Sequence, residues 1–203
     1  MKNIPKHIAV IPDGNRRWAR KRGFRSLIGH KAGVEALEKI LDKALEMKIP
    51  HFTFWGGSFD NLTKRPKIET EFLFKLYTEH FKRIARDRRI HQNQIKINVF
   101  GRWKEILPRK TQEAVEKAIE TTKNYKDYFL TFLLAYNGPD EMIACIQKIS
   151  NLAQNKRVII TEKLVRENLW TRNLPPVDLV IRTGCEKDPH MSAGFMMWNT
   201  AYS

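Results

Sequence analysis

Asp13-Gly14-Asn15-Arg16-Arg17-Trp18 places one carboxylate, a glycine turn and two guanidinium groups within six residues. That grouping suits an anion with several oxygens. A guanidinium fork matches two phosphate oxygens, glycine lets backbone N–H groups come close, and a helix N-terminus favours negative charge. Asp13 has two readings: a cap or ion-pair partner of Arg17, or a metal ligand. Mg2+ takes only one or two protein carboxylates and completes its shell with phosphate oxygens and water, so a single Asp in a phosphate pocket is sufficient. His30, in Gly29-His30-Lys31-Ala32-Gly33, reads as a cap or packing residue at a helix start, or as a donor to a diphosphate. The late stretch from Asp178 to Ser203 supplies Arg182, Lys187, His190 and Ser192, enough for a second anion site.

Such side chains need elements to aim them. His7 to Pro12 is a short apolar run ending in a turn and reads as a buried strand. Apolar residues then recur at helical spacing from Lys31 to Met47. His51 to Trp55 reads as a strand, Glu69 to Arg88 as a helix, Ile95 to Phe100 as a strand and Pro108 to Thr122 as a helix. Phe129 to Tyr136, Pro139 to Leu152 and Val177 to Ile181 continue the alternation as strand, helix and strand. Buried strands separated by helices predict an α/β fold in one domain: a mostly parallel central sheet flanked by helices. Ligands in such folds bind beyond the carboxyl ends of the strands. The residues there are Asp13-Gly14-Asn15, Gly56-Gly57-Ser58 with Asn61, Gly101-Arg102, Asn137-Gly138 and Arg182-Thr183-Gly184.

The whole chain narrows the classes. Its 203 residues carry 37 Lys and Arg against 22 Asp and Glu, a net charge of +15, and 42% are hydrophobic. A core can be filled, which excludes disorder. No apolar run approaches the roughly 18 to 20 residues of a membrane span, and the first residues lack the apolar centre of a secretory signal, so a cytoplasmic protein is expected. Cys145 and Cys185 have no zinc-finger spacing and read as free thiols. The charge fits nucleic acid, an anionic membrane or a phosphorylated small molecule equally well. The common phosphate-loop, dinucleotide, nucleophile-elbow and zinc-helix motifs are all missing from the sequence.

Several spaced motifs together carry a resemblance. His7 to Ala19 with the Asp-Gly-Asn core, then Gly29 to Gly33, then Ser58, Asn61, Arg65 and Pro66, then Asp178 to Thr183 with Glu186, Ser192, Phe195, Trp198, Ala201 and Tyr202, resemble the cis-prenyltransferases, the family of undecaprenyl diphosphate synthase. The resemblance implies a homodimeric, Mg2+-dependent enzyme that joins isopentenyl diphosphate to an allylic diphosphate such as farnesyl diphosphate. By the same resemblance Asp13 would organise Mg2+ and, with Asn61, serve catalysis. Gly14, Asn15 and Arg17 would hold the allylic diphosphate with His30 nearby, and Arg16 and Trp18, beside them in the sequence, are expected to bind substrate as well. Asn61 and Ser58 would sit by the reacting carbons, with Arg65 in a mobile loop, and Arg182, Ser192 and His190 would hold isopentenyl diphosphate. No paired Asp-Asp occurs, which separates the chain from the Asp-rich, all-helical prenyl-transfer enzymes.

Four departures accompany the likeness. Arg16 stands where the family has a small glycine, Ser26 where it has an arginine, and the stretch from Lys187 to Gly194 is longer. The chain also stops at Ser203, where the family continues with a metal-binding glutamate, so the domain over residues 1–203 is expected to lack a C-terminal segment. Rival readings are a synthase of branched, head-to-middle products, a non-catalytic prenyltransferase subunit, and a basic nucleic-acid-binding module. The last would use Phe52, Phe54, Trp55 and Trp103 as stacking residues and Arg83 to Arg89 on a backbone; aromatics at strand spacing are more often core, and no nucleic-acid partner is expected. Arg83 to Arg89 could instead attract an anionic membrane, giving peripheral contact at its inner face.

Overall fold

Five apolar segments pair side by side, all parallel: β1 (His7–Ile11), β2 (His51–Gly57), β3 (Ile95–Phe100), β4 (Tyr128–Leu134) and β5 (Leu179–Arg182), in the order β3-β4-β2-β1-β5. The computed structural model describes residues 4–155, 157–184 and 194–201. His190, Ser192, Lys187 and Cys185 therefore lie outside the described residues, as do Glu186 and Tyr202. Every residue of β1 is buried, as a strand covered on both faces must be. Its alternate side chains serve two cores. Ile8 and Val10 join the larger cluster with Phe52, Leu130 and Phe132, while Ala9 and Ile11 join Leu133, Tyr136, Leu174, Val177, Phe195 and Met196 on the opposite face. Edge strand β3 alternates, with Ile95, Ile97 and Val99 buried and the residues between them half-buried.

Nine helices are present among the described residues: α1 (Asn15–Arg20), α2 (Ser26–Glu46), α3 (Phe59–Thr63), α4 (Lys67–Ile84), α5 (Arg88–Gln92), α6 (Trp103–Ile106), α7 (Arg109–Thr122), α8 (Gly138–Asn155) and α9 (Glu162–Asn168). The strand and helix alternation follows the sequence expectation, with shifted boundaries. Helix α2 starts at Ser26 rather than Lys31, which moves His30 from the helix start into its second turn. The stretch Glu69 to Arg88 is not one helix. Helix α4 ends at Ile84, and the Asp87 side chain accepts from Arg89 N at 2.9 Å to start α5. β4 ends at Leu134 because Ala135 takes a positive φ of 50°. Phe52 and Trp103 are buried in the larger core, and Phe54 packs against it, so these aromatics fill the interior.

A buried polar knot fastens the late segment to the second core. Glu141 on α8 is 2% exposed. Its carboxylate accepts from the Tyr136 hydroxyl at 2.5 Å and from Thr171 N at 2.8 Å, and the Thr171 hydroxyl also lies 2.9 Å from Asn199 Oδ1. Removing the carboxylate strands two buried donors, each costing about 1 to 3 kcal/mol. Glu141→Ala is therefore expected to lower unfolding free energy by about 2 to 4 kcal/mol; a denaturant midpoint equal to that of the parent chain would contradict this role.

Candidate active site

β5, β1 and β2 are neighbours, so their carboxyl ends open at one place. The turn after β1 presses on the turn after β5. Gly14 and Gly184 both take positive φ, 90° and 70°, and a Cβ on Gly184 would stand 2.7 Å from both Asp13 O and Gly14 Cα. Only glycine fits that approach. The Thr183 hydroxyl donates to Asp13 O at 2.7 Å, tying the turns together. Across this junction the Asp13 carboxylate meets two guanidinium groups: Arg182 donates to Oδ2 at 2.7 Å, and Arg17, one helical turn on, lies 3.2 Å from Oδ1. Arg17 also donates to Gly184 O at 2.5 Å. Burial alone would raise the Asp13 pKa, yet the hydrogen bonds from Arg182 and Gly14 N and the charge of Arg17 hold it below the ordinary carboxylate value. Asp13 is ionised at neutral pH.

Two glycines on α2 let α1 lie against it. A Cβ on Gly29 would collide with the Asn15 carbonyl, and one on Gly33 would lie 2.6 Å from Asn15 Nδ2. Asn15 is thereby seated on α2 beside the Asp13 turn. On the other side of α2, His30 meets Glu69 of α4, with Nε2 2.9 Å from Oε1. Glu69 is 4% exposed and also gathers two guanidinium groups, Arg65 at 3.2 Å and Arg16 at 3.6 Å. Burial works to raise the Glu69 pKa, but the bond from His30 and the Arg65 and Arg16 charges lower it overall. Burial pushes the His30 pKa down, so the ring is neutral at pH 7. A carboxylate can only accept, which fixes the His30 proton on Nε2. Arg65 further donates to Asn61 Oδ1 at 3.0 Å, and Asn61 N donates to the Ser58 hydroxyl at 3.0 Å, where Ser58 caps α3.

Most of these side chains line one cavity of about 680 Å³, with Glu69 behind its wall. It brings together Asp13, Gly14, Asn15, Arg16, Arg17, His30, Ser58, Asn61, Arg65 and Arg182 from the sequence expectation. Trp18 is not among its walls; the ring is 38% exposed and stacks beneath the Arg22 guanidinium, 4.5 Å from ring centre. The strand ends at Gly101-Arg102 and Asn137-Gly138 do not reach it either, because β3 and β4 lie on the far side of β2, and Arg102 is held by Glu105 and Asp140. Three contributors were not singled out as diphosphate-site residues: Glu69, which orders His30 and Arg65; Arg20, three residues after Arg17; and Tyr77, whose hydroxyl donates to Gly56 O at 2.7 Å. The spacing of Arg16, Arg17 and Arg20 is the signal that could have revealed Arg20, since such positions share a helix face.

Past Tyr77 the lining changes character. A second, apolar cavity of about 90 Å³ shares Val34, Phe54, Gly56, Leu76 and Tyr77 with the first, and continues along Leu37, Leu41 and Leu45 of α2 beneath α4. Its far end meets charge. Arg83 pairs with Glu38, and Arg89 reaches Asp42 at 2.9 Å and Asp87 at 2.8 Å. The composite is a polar, guanidinium-rich chamber opening into an apolar slot, suited to a molecule with a phosphate head and a hydrocarbon tail.

Comparison with known proteins gives the same direction. Residues 11–203 match a family model described as "Putative undecaprenyl diphosphate synthase". The chain belongs to the cis-prenyltransferase family. Its similar relatives include a protein of Pyrococcus furiosus named tritrans,polycis-undecaprenyl-diphosphate synthase (geranylgeranyl-diphosphate specific), 42% identical over 98% of this chain and 75% of its own length. A Pyrococcus horikoshii protein of the same name is 39% identical over the same shares. Lavandulyl diphosphate synthase from Lavandula x intermedia, solved with dimethylallyl diphosphate, superposes with a TM-score of 0.85 at 26% identity, covering 96% of this chain and 83% of that one. A probable undecaprenyl diphosphate synthase from Campylobacter jejuni shares the fold, with a TM-score of 0.76 at 23% identity over 99% and 84% of the two chains. The chain is thus a prenyltransferase of the cis type, with a single domain on an all-parallel five-stranded sheet.

For this prenyltransferase the donor set bears on the metal. Among the described residues no group of three His, Cys, Asp or Glu side chains could cage a cation. Asp13, ionised, a third exposed and on the cavity wall, fits an ion that takes one protein carboxylate and fills its shell from diphosphate and water.

The Glu69 cluster has a pH signature. A carboxyl whose folded pKa is depressed contributes stability that is complete above its unfolded value, about 4.3 for Glu, and is lost as pH falls through the folded value. Glu69→Gln is expected to be less stable than the parent chain at pH 7, with the two unfolding curves converging below about pH 4. A gap that stays constant with pH would show that the Glu69 charge does not hold the cluster.

Proposed function

We propose that this chain condenses isopentenyl diphosphate with a long-tailed allylic diphosphate, extending it in the cis configuration with Mg2+ as cofactor. The observation that carries the reading is the single cavity lined by Arg16, Arg17, Arg20, Arg65 and Arg182 that opens beneath α2 and α4 into an apolar slot. The Pyrococcus relatives are named for geranylgeranyl diphosphate, and an allylic starter of that length is the one assigned here. Asp13 would hold Mg2+, which when bound would supply positive charge against the departing diphosphate. Breaking the allylic C–O bond collects negative charge on the diphosphate, and Arg17 and Arg182 stand on either side of Asp13 to receive it. Asn61 on α3 and Arg65 in the link from α3 to α4 face the same chamber, where they would orient the second substrate. His30 spends its proton on Glu69, so its part is positioning and not proton transfer.

The same reading includes a homodimer and a cytoplasmic, membrane-adjacent setting. Ile143 and Ile146, three residues apart on α8, are more than half exposed, which suits burial against a second copy. Among the described residues no helix is long and apolar enough to cross a membrane.

The likeness to lavandulyl diphosphate synthase supports a second reading, condensation to branched products. One experiment separates them. The chain is incubated with radiolabelled isopentenyl diphosphate, geranylgeranyl or farnesyl diphosphate and Mg2+, and the extracted prenyl product is identified by mass spectrometry and its double-bond geometry by NMR. Linear cis-extended product is expected, and Asp13→Ala is expected to cut turnover at least about 100-fold while keeping the fold. Label that never enters an extractable product would overturn the synthase reading, and a branched skeleton would favour the alternative.

A further inference from the structure

The corner joining α1 to α2 has a composition found nowhere else in the chain. Between Asp13 and Glu35 there are seven Lys and Arg and no Asp or Glu. Arg16 and Arg17 are engaged with Glu69 and Asp13. Lys21, Arg22, Arg25 and Lys31 are exposed, and none has a carboxylate partner among the described residues. In the other basic run, Arg83 to Arg89, Arg83 pairs with Glu38 and Arg89 with Asp42 and Asp87, while Arg86 and Arg88 are exposed.

Apolar side chains stand among these cations, and Arg22 stacks on the Trp18 ring. Trp18 is 38% exposed, Phe24 47% and Ile28 46%, and the Trp18 and Phe24 rings lie 6.4 Å apart, centre to centre. Trp18 and Ile28 belong to α1 and α2, which contribute Arg16, Arg17, Arg20 and His30 to the wall of the polar cavity, so this corner adjoins that wall. Exposed cations alone would suit any polyanion. An aromatic and aliphatic knuckle ringed by cations suits one surface in particular, the head-group layer of an anionic bilayer, where indole and phenyl rings settle and each nearby Lys or Arg contributes about 1 kcal/mol.

We propose that the α1–α2 corner is a bilayer-docking face: Phe24, Ile28 and Trp18 enter the lipid interface while Lys21, Arg22, Arg25 and Lys31 rest on anionic head groups. The face deepens the membrane-adjacent setting proposed above. It would bring this wall of the cavity close to the surface in which an amphiphilic allylic diphosphate dissolves.

Sedimentation with vesicles tests it without turnover, so failure of the synthase reading and failure of this one are distinguishable. The chain is expected to sediment with vesicles of equal parts phosphatidylglycerol and phosphatidylcholine and to remain in the supernatant with phosphatidylcholine alone. Lys21→Ser with Arg22→Ser should weaken binding about 30-fold. Phe24→Ser with Ile28→Ser should also reduce it, with an unchanged thermal midpoint as the folding control. Saturating inorganic diphosphate should not release the protein. Release would place lipid phosphates in the cavity and overturn the proposal, as would equal sedimentation of parent and both double variants. A third result would also overturn it: retention of mixed RNA, lost in the Phe24 and Ile28 variant, at affinity equal to that for lipid.

Discussion

The ion pair between Asp13 and Arg182 is the contact on which the site depends. The two residues are far apart in sequence and sit at the carboxyl ends of adjacent strands β1 and β5, where a 2.7 Å bond closes one side of the chamber. Gly14 and Gly184 exist in their positive-φ forms so that the two turns can meet closely enough for it. Arg17 then completes a carboxylate held between two guanidinium groups. Without a ligand the acid balances the arginines. On the proposed reading a diphosphate would meet two guanidinium groups that Asp13 already holds in place, which is how such sites stabilise a leaving group without reorganising at the moment of reaction.

A second layer of charge does comparable work deeper in the wall. Glu69 is buried on α4 and answers His30 from α2, Arg65 from the link between α3 and α4, and Arg16 from α1. One carboxylate therefore fixes the relative placement of three elements around the cavity. Apolar residues take over beyond Tyr77, so head and tail of an amphiphile are sorted along a single path between α2 and α4.

The fold was largely legible because parallel strands are buried on both faces and read as short apolar runs between amphipathic helices. Asp13 and Arg17 were legible too, since their spacing alone makes an ion pair on a helix start. The start of α2 was harder to see. Gly29 and Gly33 resemble helix breaks to a reading based on periodicity, yet they are the positions where α1 must approach. The break after Ile84 carries neither Gly nor Pro, and only the Asp87 cap marks it. Glu69 had one local signal, its spacing of four residues from Arg65. The rest of its meaning comes from α4 lying across α2, since His30 and Arg16 arrive from other elements and leave no pattern in its own segment. Trp18 shows the converse: a family motif drew it toward the substrate, while the helix turns its ring outward.

The central claim is that the Asp13, Arg17 and Arg182 cluster is the seat of a diphosphate. Calorimetric titration of the chain with a non-reacting allylic thiodiphosphate and Mg2+, repeated on Arg17→Gln and Arg182→Gln, reads it most directly. Each variant is expected to bind at least about tenfold more weakly with the fold retained, as loss of a charge-assisted bond implies. Equal affinity in the parent chain and both variants would contradict the account.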